Sequence, residues 1–313
     1  MTKRILVTGK NGQLGNSLQK VLNNLFYSSK KFSDYDNFKL NDHSFIFVSR
    51  DNLNLSNSES IKYFLENNQF KGIINCAAYT SVDKAESNLM IAEQINHYAV
   101  SQLAKFAKIS SIPLIQISTD YVFQGRSSKP YDEADETNPQ NIYGLTKLKG
   151  EKAIIESGCT GAIIRTSWLH SEFGNNFVKT MLNLSKGKKS LNVVNDQIGS
   201  PTYATNLAKL LLTIFSGYRS TQILNTKLNI YHFSDDGICS WFDFAKAIFD
   251  LSNISCQVNP LATKDYKSIA KRPLYNVMNK RKIRDYLPEL EIQHWRDALR
   301  NCLIEINKKS LLS

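Results

Sequence analysis

The feature that most limits how this chain folds is a turn near its start. Residues 4–8 are a short apolar run, and Gly9-Lys10-Asn11-Gly12-Gln13-Leu14-Gly15 follows at once. Leu14, Leu18, Val21, Leu22 and Leu25 then recur at helical spacing. Strand, glycine-rich turn and helix, in that order, is the context in which such glycines carry a function. Gly9 and Gly12 permit a tight turn and the close approach of a pyrophosphate, whose charge is met by the helix N-terminus. Gly15 lets the helix pack closely on the strand. The stretch therefore predicts a dinucleotide-binding βα unit.

The alternation continues downstream. Residues 45–48, 72–76, 114–118 and 162–166 read as strands, with helical periodicity between them. Ser56-x-x-Glu59 predicts a capping box for a helix through Ile61, Phe64 and Leu65. Residues 89–108 read as one long helix with Asn96 inside it, either solvated or bridging to a neighbouring strand. Residues 26–43 are polar and aromatic without a clear period and read as a surface insertion. This order predicts an α/β fold, a Rossmann-like doubly wound parallel sheet with a smaller α/β substrate-binding lobe. Residues 1–167 are assigned to the NAD(P)-binding part, to which 205–234 return, and 168–313 mainly to the lobe. In that lobe Val178, Met181, Leu182 and Leu184 share the apolar side of a helix, and Ser240 predicts an N-cap for an amphipathic helix. The aromatics of that second helix are assigned to the core.

The second strand ends at Ser49-Arg50, where a carboxylate would hold the adenosine ribose of NAD. With no acid there, and with Arg50 and Lys10 nearby, a 2′-phosphate is accommodated. NADPH is the expected cofactor, and NADH is the alternative if Asp51 turns inward. After the third strand, Ala77-Ala78-Tyr79-Thr80 offers small residues against which a cofactor can lie.

The reactive groups follow from position. Tyr143 opens a helix, and Lys147, four residues on, lies on the same face. A neighbouring cation favours the phenolate, so Lys147 is expected to lower the Tyr143 pKa and make the hydroxyl a better acid near neutrality. Tyr27/Lys31 and Tyr35/Lys39 share the spacing, but only Tyr143/Lys147 follows the fourth strand. That strand delivers Thr119-Asp120-Tyr121 to its C-terminal end, where ligands sit in open parallel sheets.

Composition excludes other classes. The net charge of +11 is spread along the 313 residues, densest late in the chain, and no nucleic-acid motif accompanies it. Five scattered cysteines form no C-x-x-C and no disulfide framework, and five scattered histidines show no metal-ligand spacing. No apolar run reaches the length of a membrane helix, and the N-terminus lacks a signal-peptide layout. A cytoplasmic enzyme with no metal, no nucleic-acid partner and no membrane is expected.

The turn spacing is G-x-x-G-x-x-G, a variant associated with short-chain dehydrogenases. Several further motifs follow it in order: Asn75-Cys76-Ala77-Ala78-Tyr79-Thr80-Ser81-Val82-Asp83-Lys84-Ala85-Glu86, Ser118-Thr119-Asp120-Tyr121-Val122-Phe123, Tyr143…Lys147, Arg165-Thr166-Ser167-Trp168 and Asn195-Asp196-Gln197-Ile198-Gly199-Ser200-Pro201-Thr202. Together they resemble the dTDP-4-dehydrorhamnose reductase family, extended short-chain dehydrogenases, as far as Arg272-Pro273 at least. The resemblance implies reduction of the C4 ketone of dTDP-4-dehydro-β-L-rhamnose by NAD(P)H, within dTDP-rhamnose supply for surface polysaccharide. Tyr143 is implied as proton donor, Lys147 as its partner at the nicotinamide ribose, and Thr119 as the hydroxyl on the reacting oxygen. Asp120 and Trp168 are implied substrate contacts, with Asn176, Lys179 and Arg272 as further candidates. Gly12, Gln13, Leu14, Ala78, Tyr79 and Thr80 match cofactor contacts.

Some family members dimerise around magnesium held by glutamates. The first-helix glutamate of that pattern falls at Ser17, so a monomer or weak dimer without that metal is expected. The competing readings are a nucleotide-sugar epimerase or dehydratase of the same fold, and a non-catalytic regulatory subunit on this scaffold. A 4,6-dehydratase typically carries Asp-Glu after the threonine, whereas Asp120 is followed here by Tyr121.

Overall fold

The computed structural model describes residues 3–27, 37–40, 42–216, 224 and 227–310. Its centre is a seven-stranded sheet. In chain order the strands are β1 (Lys3–Thr8), β2 (Asn37–Leu40), β3 (His43–Val48), β4 (Gly72–Asn75), β5 (Leu114–Thr119), β6 (Gly161–Thr166) and, after the four short strands introduced below, β11 (Asn229–His232). Their spatial order is β11-β6-β5-β4-β1-β3-β2. Every neighbouring pair is parallel except β2 and β3. The chain passes from β1 to β3 on one flank and then crosses to β4 on the other. The crevice beyond the ends of β1 and β4, where strand order reverses, is where such sheets hold ligands.

Both faces are covered, as apolar parallel strands require. On one face α1 (Gln13–Tyr27) and α8 (Ala204–Ser216) pack Leu14, Leu18, Leu22, Leu207 and Leu211 against Ile5, Val7 and Ile115. On the other, α2 (Ser58–Glu66) and α5 (Ala99–Ile109) place Ile61, Leu65, Val100 and Leu103 against Leu6, Ile73 and Leu114.

Three local expectations change. Within the presumed 26–43 insertion, Asn37–Leu40 pairs antiparallel with β3 and extends the sheet edge. The partners Lys31 and Tyr35 of the two decoy pairs lie outside the described residues. The cap of α2 is Asn57, whose side chain accepts from the Ser60 N–H, while Ser56 Oγ is spent on Asn54 Oδ1. An Asx side chain reaches the N3 amide as well as serine does, and Asn57 stands one residue closer. After the short α3 (Val82–Ser87), the long helical stretch is α4 (Leu89–Glu93), a π-helical turn (Gln94–Tyr98) and α5. Asn96 lies buried in that turn and clamps the Tyr79 backbone, accepting from its N–H (2.9 Å) and donating to its carbonyl (3.1 Å).

Beyond β6, the short strands β7 (Leu169–His170), β8 (Ser190–Val194), β9 (Ile198–Gly199) and β10 (Thr202–Tyr203) frame α7 (Phe177–Ser185). A separate core gathers Val178, Met181, Leu191 and Val193 around Phe244 and Ile248 of helix Trp241–Leu251. That helix begins with a complete Ser240/Asp243 capping box. Lys20 of α1 donates to Glu172 (2.5 Å) and to Glu305 of the C-terminal helix (2.6 Å), and Tyr203 also donates to Glu172. Ion pair and hydrogen bonds thus hold the second core against the first helix of the sheet.

Candidate active site

The ends of the central strands carry buried polar groups in a row. Thr8 Oγ1 donates to Asn75 Oδ1 (2.5 Å), Asn75 Nδ2 donates to Gln116 Oε1 (2.7 Å), and the Ala77 N–H reaches back to Thr8 Oγ1. These bonds fix the floor of the crevice and the course of 76–80. Gly9, at φ +75°, makes the turn above it and accepts from the Gly12 N–H. A Cβ at Gly15 would stand 2.2 Å from the Gly9 carbonyl oxygen, so only glycine lets α1 approach. At Gly12 a Cβ would meet nothing within 4 Å except that oxygen, at 3.3 Å. The turn is therefore a cradle with space before the free N–H groups of a helix start.

Gln13 does more than line this cradle. Its Oε1 accepts from Ser171 Oγ and Asn176 Nδ2, each at 2.9 Å, which ties the turn to the start of α7. The Leu14 side chain belongs to the core, which leaves its backbone for the crevice. Ala78 and Tyr79 are half-buried along the opposite wall and Thr80 is exposed. At the end of β3 the Ser49 N–H and Oγ both donate to Asn52 Oδ1, and Arg50 and Asp51 are exposed. Arg50 forms no ion pair with the described residues.

Beyond β5, Thr119 caps a 3-10 turn (Asp120–Val122) and donates to Asp120 Oδ1 at 2.9 Å. Across from it, Asn141 caps α6 (Ile142–Ser157), accepting from the Gly144 N–H, and sets Tyr143 in the first turn. The Tyr143 hydroxyl lies beside Thr119, and its ring meets Tyr121 edge-on at 5.7 Å. Lys147 is one turn further on and 4% exposed, and its Nζ donates to the Ile117 carbonyl at 2.6 Å.

Here the sequence expectation needs correcting. Burial pushes the Tyr143 phenol above its ordinary value, opposed only by the neighbouring Thr119 hydroxyl, and Lys147 does not lower it. The ammonium is directed at a backbone carbonyl and is itself held down to about 8 by burial, with Glu151 and Cys76 opposing. In a buried site desolvation outweighs the cation argument drawn from spacing alone.

Other predicted contacts fall into distinct settings. Trp168 sits at φ +46°, a costly conformation for an aromatic residue. It is fixed by stacking on Trp241 (3.6 Å, 8°) and by Gly199, whose Cβ would stand 2.8 Å from the indole. Asn176 is the N-cap of α7 and accepts from the Lys179 N–H, while the Lys179 side chain is half-buried. Arg272 pairs with Asp83 (2.6 Å) and approaches Tyr121 Oη and Ser268 Oγ. Asp120 is 2% exposed with both carboxylate oxygens engaged inside the protein, Oδ1 by Thr119 and Oδ2 by Asn276 Nδ2 (2.9 Å).

Sequence reasoning missed the groups behind these. Glu151 and Arg165 form a buried ion pair (2.7 Å), and Ser118 Oγ donates to the same carboxylate. Glu151 stands one turn beyond Lys147, and Arg165 faces Ser118 in the β5–β6 register. A charged pair at i, i+4 on a core helix was the available signal.

Comparison with known proteins settles the family. The model described as RmlD substrate binding domain matches residues 3–308. The dTDP-4-dehydrorhamnose reductase of Aggregatibacter actinomycetemcomitans is 37% identical, over 95% of this chain and 97% of its own. The chain belongs to the dTDP-4-dehydrorhamnose reductase family. The spore coat polysaccharide biosynthesis protein SpsK of Bacillus subtilis is 36% identical over 97% of this chain and 98% of its own. The crystal structure of the family's Bacillus anthracis reductase in complex with NADP superposes with TM-score 0.84 at 35% identity, covering 97% of this chain and all of that one. Among the described residues no helix is long and apolar enough to cross a membrane, and no group of three or more His, Cys, Asp or Glu is placed to hold a metal.

Proposed function

We propose that the chain reduces the C4 ketone of dTDP-4-dehydro-β-L-rhamnose to dTDP-L-rhamnose with NADPH. The observation that carries this reading is the convergence of Thr119, Tyr143 and Lys147 at the C-terminal end of β5, beside the glycine cradle. Full-length similarity to named reductases supports the substrate, and the NADP complex of the Bacillus anthracis protein supports the cofactor. A nicotinamide dinucleotide suits the residues present. The Gly9–Gly15 turn would hold its pyrophosphate and Ala78–Thr80 its nicotinamide half, with Arg50 on a 2′-phosphate. Bound there, it supplies hydride to the ketone carbon.

The chain supplies the rest. Tyr143 gives its hydroxyl proton to the ketone oxygen as negative charge develops there, and the neighbouring Thr119, turning its hydroxyl from Asp120, hydrogen-bonds the same oxygen. Lys147, mostly protonated below about pH 8, adds positive charge to the pocket. Trp168, held by its stack on Trp241, gives the sugar an apolar wall. Asn176, Lys179 and Arg272 are the proposed contacts to the nucleotide, with the arginine able to exchange Asp83 for phosphate. Residues 168–313, less the returning 205–234, form the substrate lobe over a dinucleotide-binding part. The enzyme works in the cytoplasm as a monomer or weak dimer and feeds surface-polysaccharide synthesis.

The deciding assay follows NADPH oxidation with dTDP-4-dehydrorhamnose and with its UDP and GDP counterparts. Oxidation that depends on the dTDP ketone supports the reading, and none with any of the three defeats it. Purification with tightly held NAD⁺ would favour an epimerase instead. For the cofactor, Arg50→Ala is expected to lower kcat/KM for NADPH by about tenfold, the loss of one exposed charge-assisted contact of about 1.4 kcal/mol. The value for NADH should stay level. Strong NADH preference in both proteins would show that Arg50 does not read the 2′-phosphate.

A further inference from the structure

Tyr143 must recover a proton after each turnover, and its surroundings make that demanding. A phenol pushed up by burial leaves a strongly basic phenolate, close to the Asp120 carboxyl. Lys147 is turned to the Ile117 carbonyl. The hydroxyl beside the phenol is that of Thr119, and Thr119 donates on to Asp120.

Asp120 is built for more than a sugar contact. Both of its oxygens face protein donors, Thr119 Oγ1 and Asn276 Nδ2. Asn276 is fixed by its own backbone, its N–H donating to the Ile198 carbonyl while the Ile198 N–H donates to Leu274. Its Oδ1 is buried with no partner among the described residues, a loss accepted in order to direct the amide N–H at the carboxylate. The side chain is thus committed to the charge on Asp120.

We propose that Asp120 is a proton-relay residue that restores Tyr143 through Thr119. The step balances with two short transfers. The Thr119 hydroxyl proton moves to the Tyr143 phenolate oxygen as the Asp120 carboxyl proton moves to Thr119 Oγ1. Tyr143 and Thr119 end as they began, and Asp120 ends as a carboxylate that accepts from Thr119 and Asn276, the arrangement seen here. Solvent then recharges Asp120 between turnovers. Burial raises Asp120 to about 6, with the Asn276 and Thr119 hydrogen bonds opposing, so the acid form is accessible near neutrality. The titratable side chains that feel its charge are Tyr143 of α6 and the adjacent Tyr121, whose hydroxyl is engaged by Arg272.

This inference rests on Tyr143 as the proton donor, and one set of variants separates the two. The test is kcat against pH for the full-length enzyme with NADPH and dTDP-4-dehydrorhamnose, together with infrared titration of the resting protein's carboxyl band. In wild type, kcat should fall as pH rises through about 6, and the band assigned by its loss in Asp120→Asn should titrate in the same range. Asp120→Asn should lower kcat on the order of 10²-fold and abolish that limb. Asn276→Leu removes a donor to the carboxylate, so the limb and the band should both move up by about one to two pH units. A merely structural role for Asn276 would not shift the limb in that direction.

A wild-type kcat level until about pH 8, where Lys147 loses its proton, overturns the relay. So does Asp120→Asn with wild-type kcat and pH profile, or Asn276→Leu with an unmoved band. If Asp120→Asn is silent while Tyr143→Phe is inactive, the relay alone fails. An active Tyr143→Phe removes the proton-donor reading beneath it.

Discussion

Tyr143→Phe is expected to lower kcat by about 10²–10⁴-fold, the usual worth of a positioned proton donor, while NADPH affinity measured by fluorescence titration stays unchanged. The substitution removes one oxygen and leaves the ring in place. Phenylalanine keeps the edge-on contact with Tyr121, and the first turn of α6 keeps its Asn141 cap. What is lost is the hydroxyl beside Thr119, the proton donor proposed for the ketone. An effect confined to kcat separates chemistry from binding, because uniform binding losses appear in KM. Turnover near wild type would remove Tyr143 from the mechanism, whatever its surroundings suggest.

The sheet was readable because five of its six parallel strands, β1 and β3 to β6, carry short apolar runs, and because the glycine turn after β1 has one context. The antiparallel β2 was not, since Asn37–Leu40 sits in a polar, aperiodic stretch where pairing with the edge of β3 decides the conformation. Asn57 replaced Ser56 as a cap for a similar reason, as two good capping residues side by side are resolved only by where the helix starts. In the site, positions were legible and energetics were not. Thr119, Tyr143 and Lys147 come together at the end of β5. Yet spacing alone suggested a depressed phenol, and the sign reversed because burial depends on the whole fold. Asn276 lies 156 residues from Asp120 and carries no motif, so its bond to the carboxylate exists only in three dimensions. The same holds for Arg165, which reads as one more basic residue at the end of an apolar strand.

That arginine underlies the largest expected stability effect. Glu151→Gln should destabilise the protein by about 3–5 kcal/mol, because it leaves a buried guanidinium without its counter-charge. Arg165 is 2% exposed and donates twice to Glu151, from Nε (3.0 Å) and from an Nη (2.7 Å). What remains to it is the Glu133 carbonyl at 3.4 Å and the face of Phe123. Thermal unfolding should shift down by roughly 6–15 °C, at about 2–3 °C per kcal/mol for a chain of this size. The double variant Glu151→Leu/Arg165→Met should recover much of that loss, since an apolar pair carries no desolvation penalty. A double variant as unstable as the single one would show that geometry, rather than the orphaned charge, dominates. Activity then gives an independent reading, because the negative charge of Glu151 raises Lys147 against the downward pull of burial. Without that charge the ammonium loses its proton at lower pH, so any fall in kcat/KM caused by Lys147 deprotonation moves below about 8 in Glu151→Gln. A shift in the opposite direction would mean that the carboxylate acts on α6 by holding its position, with no electrostatic influence on the lysine.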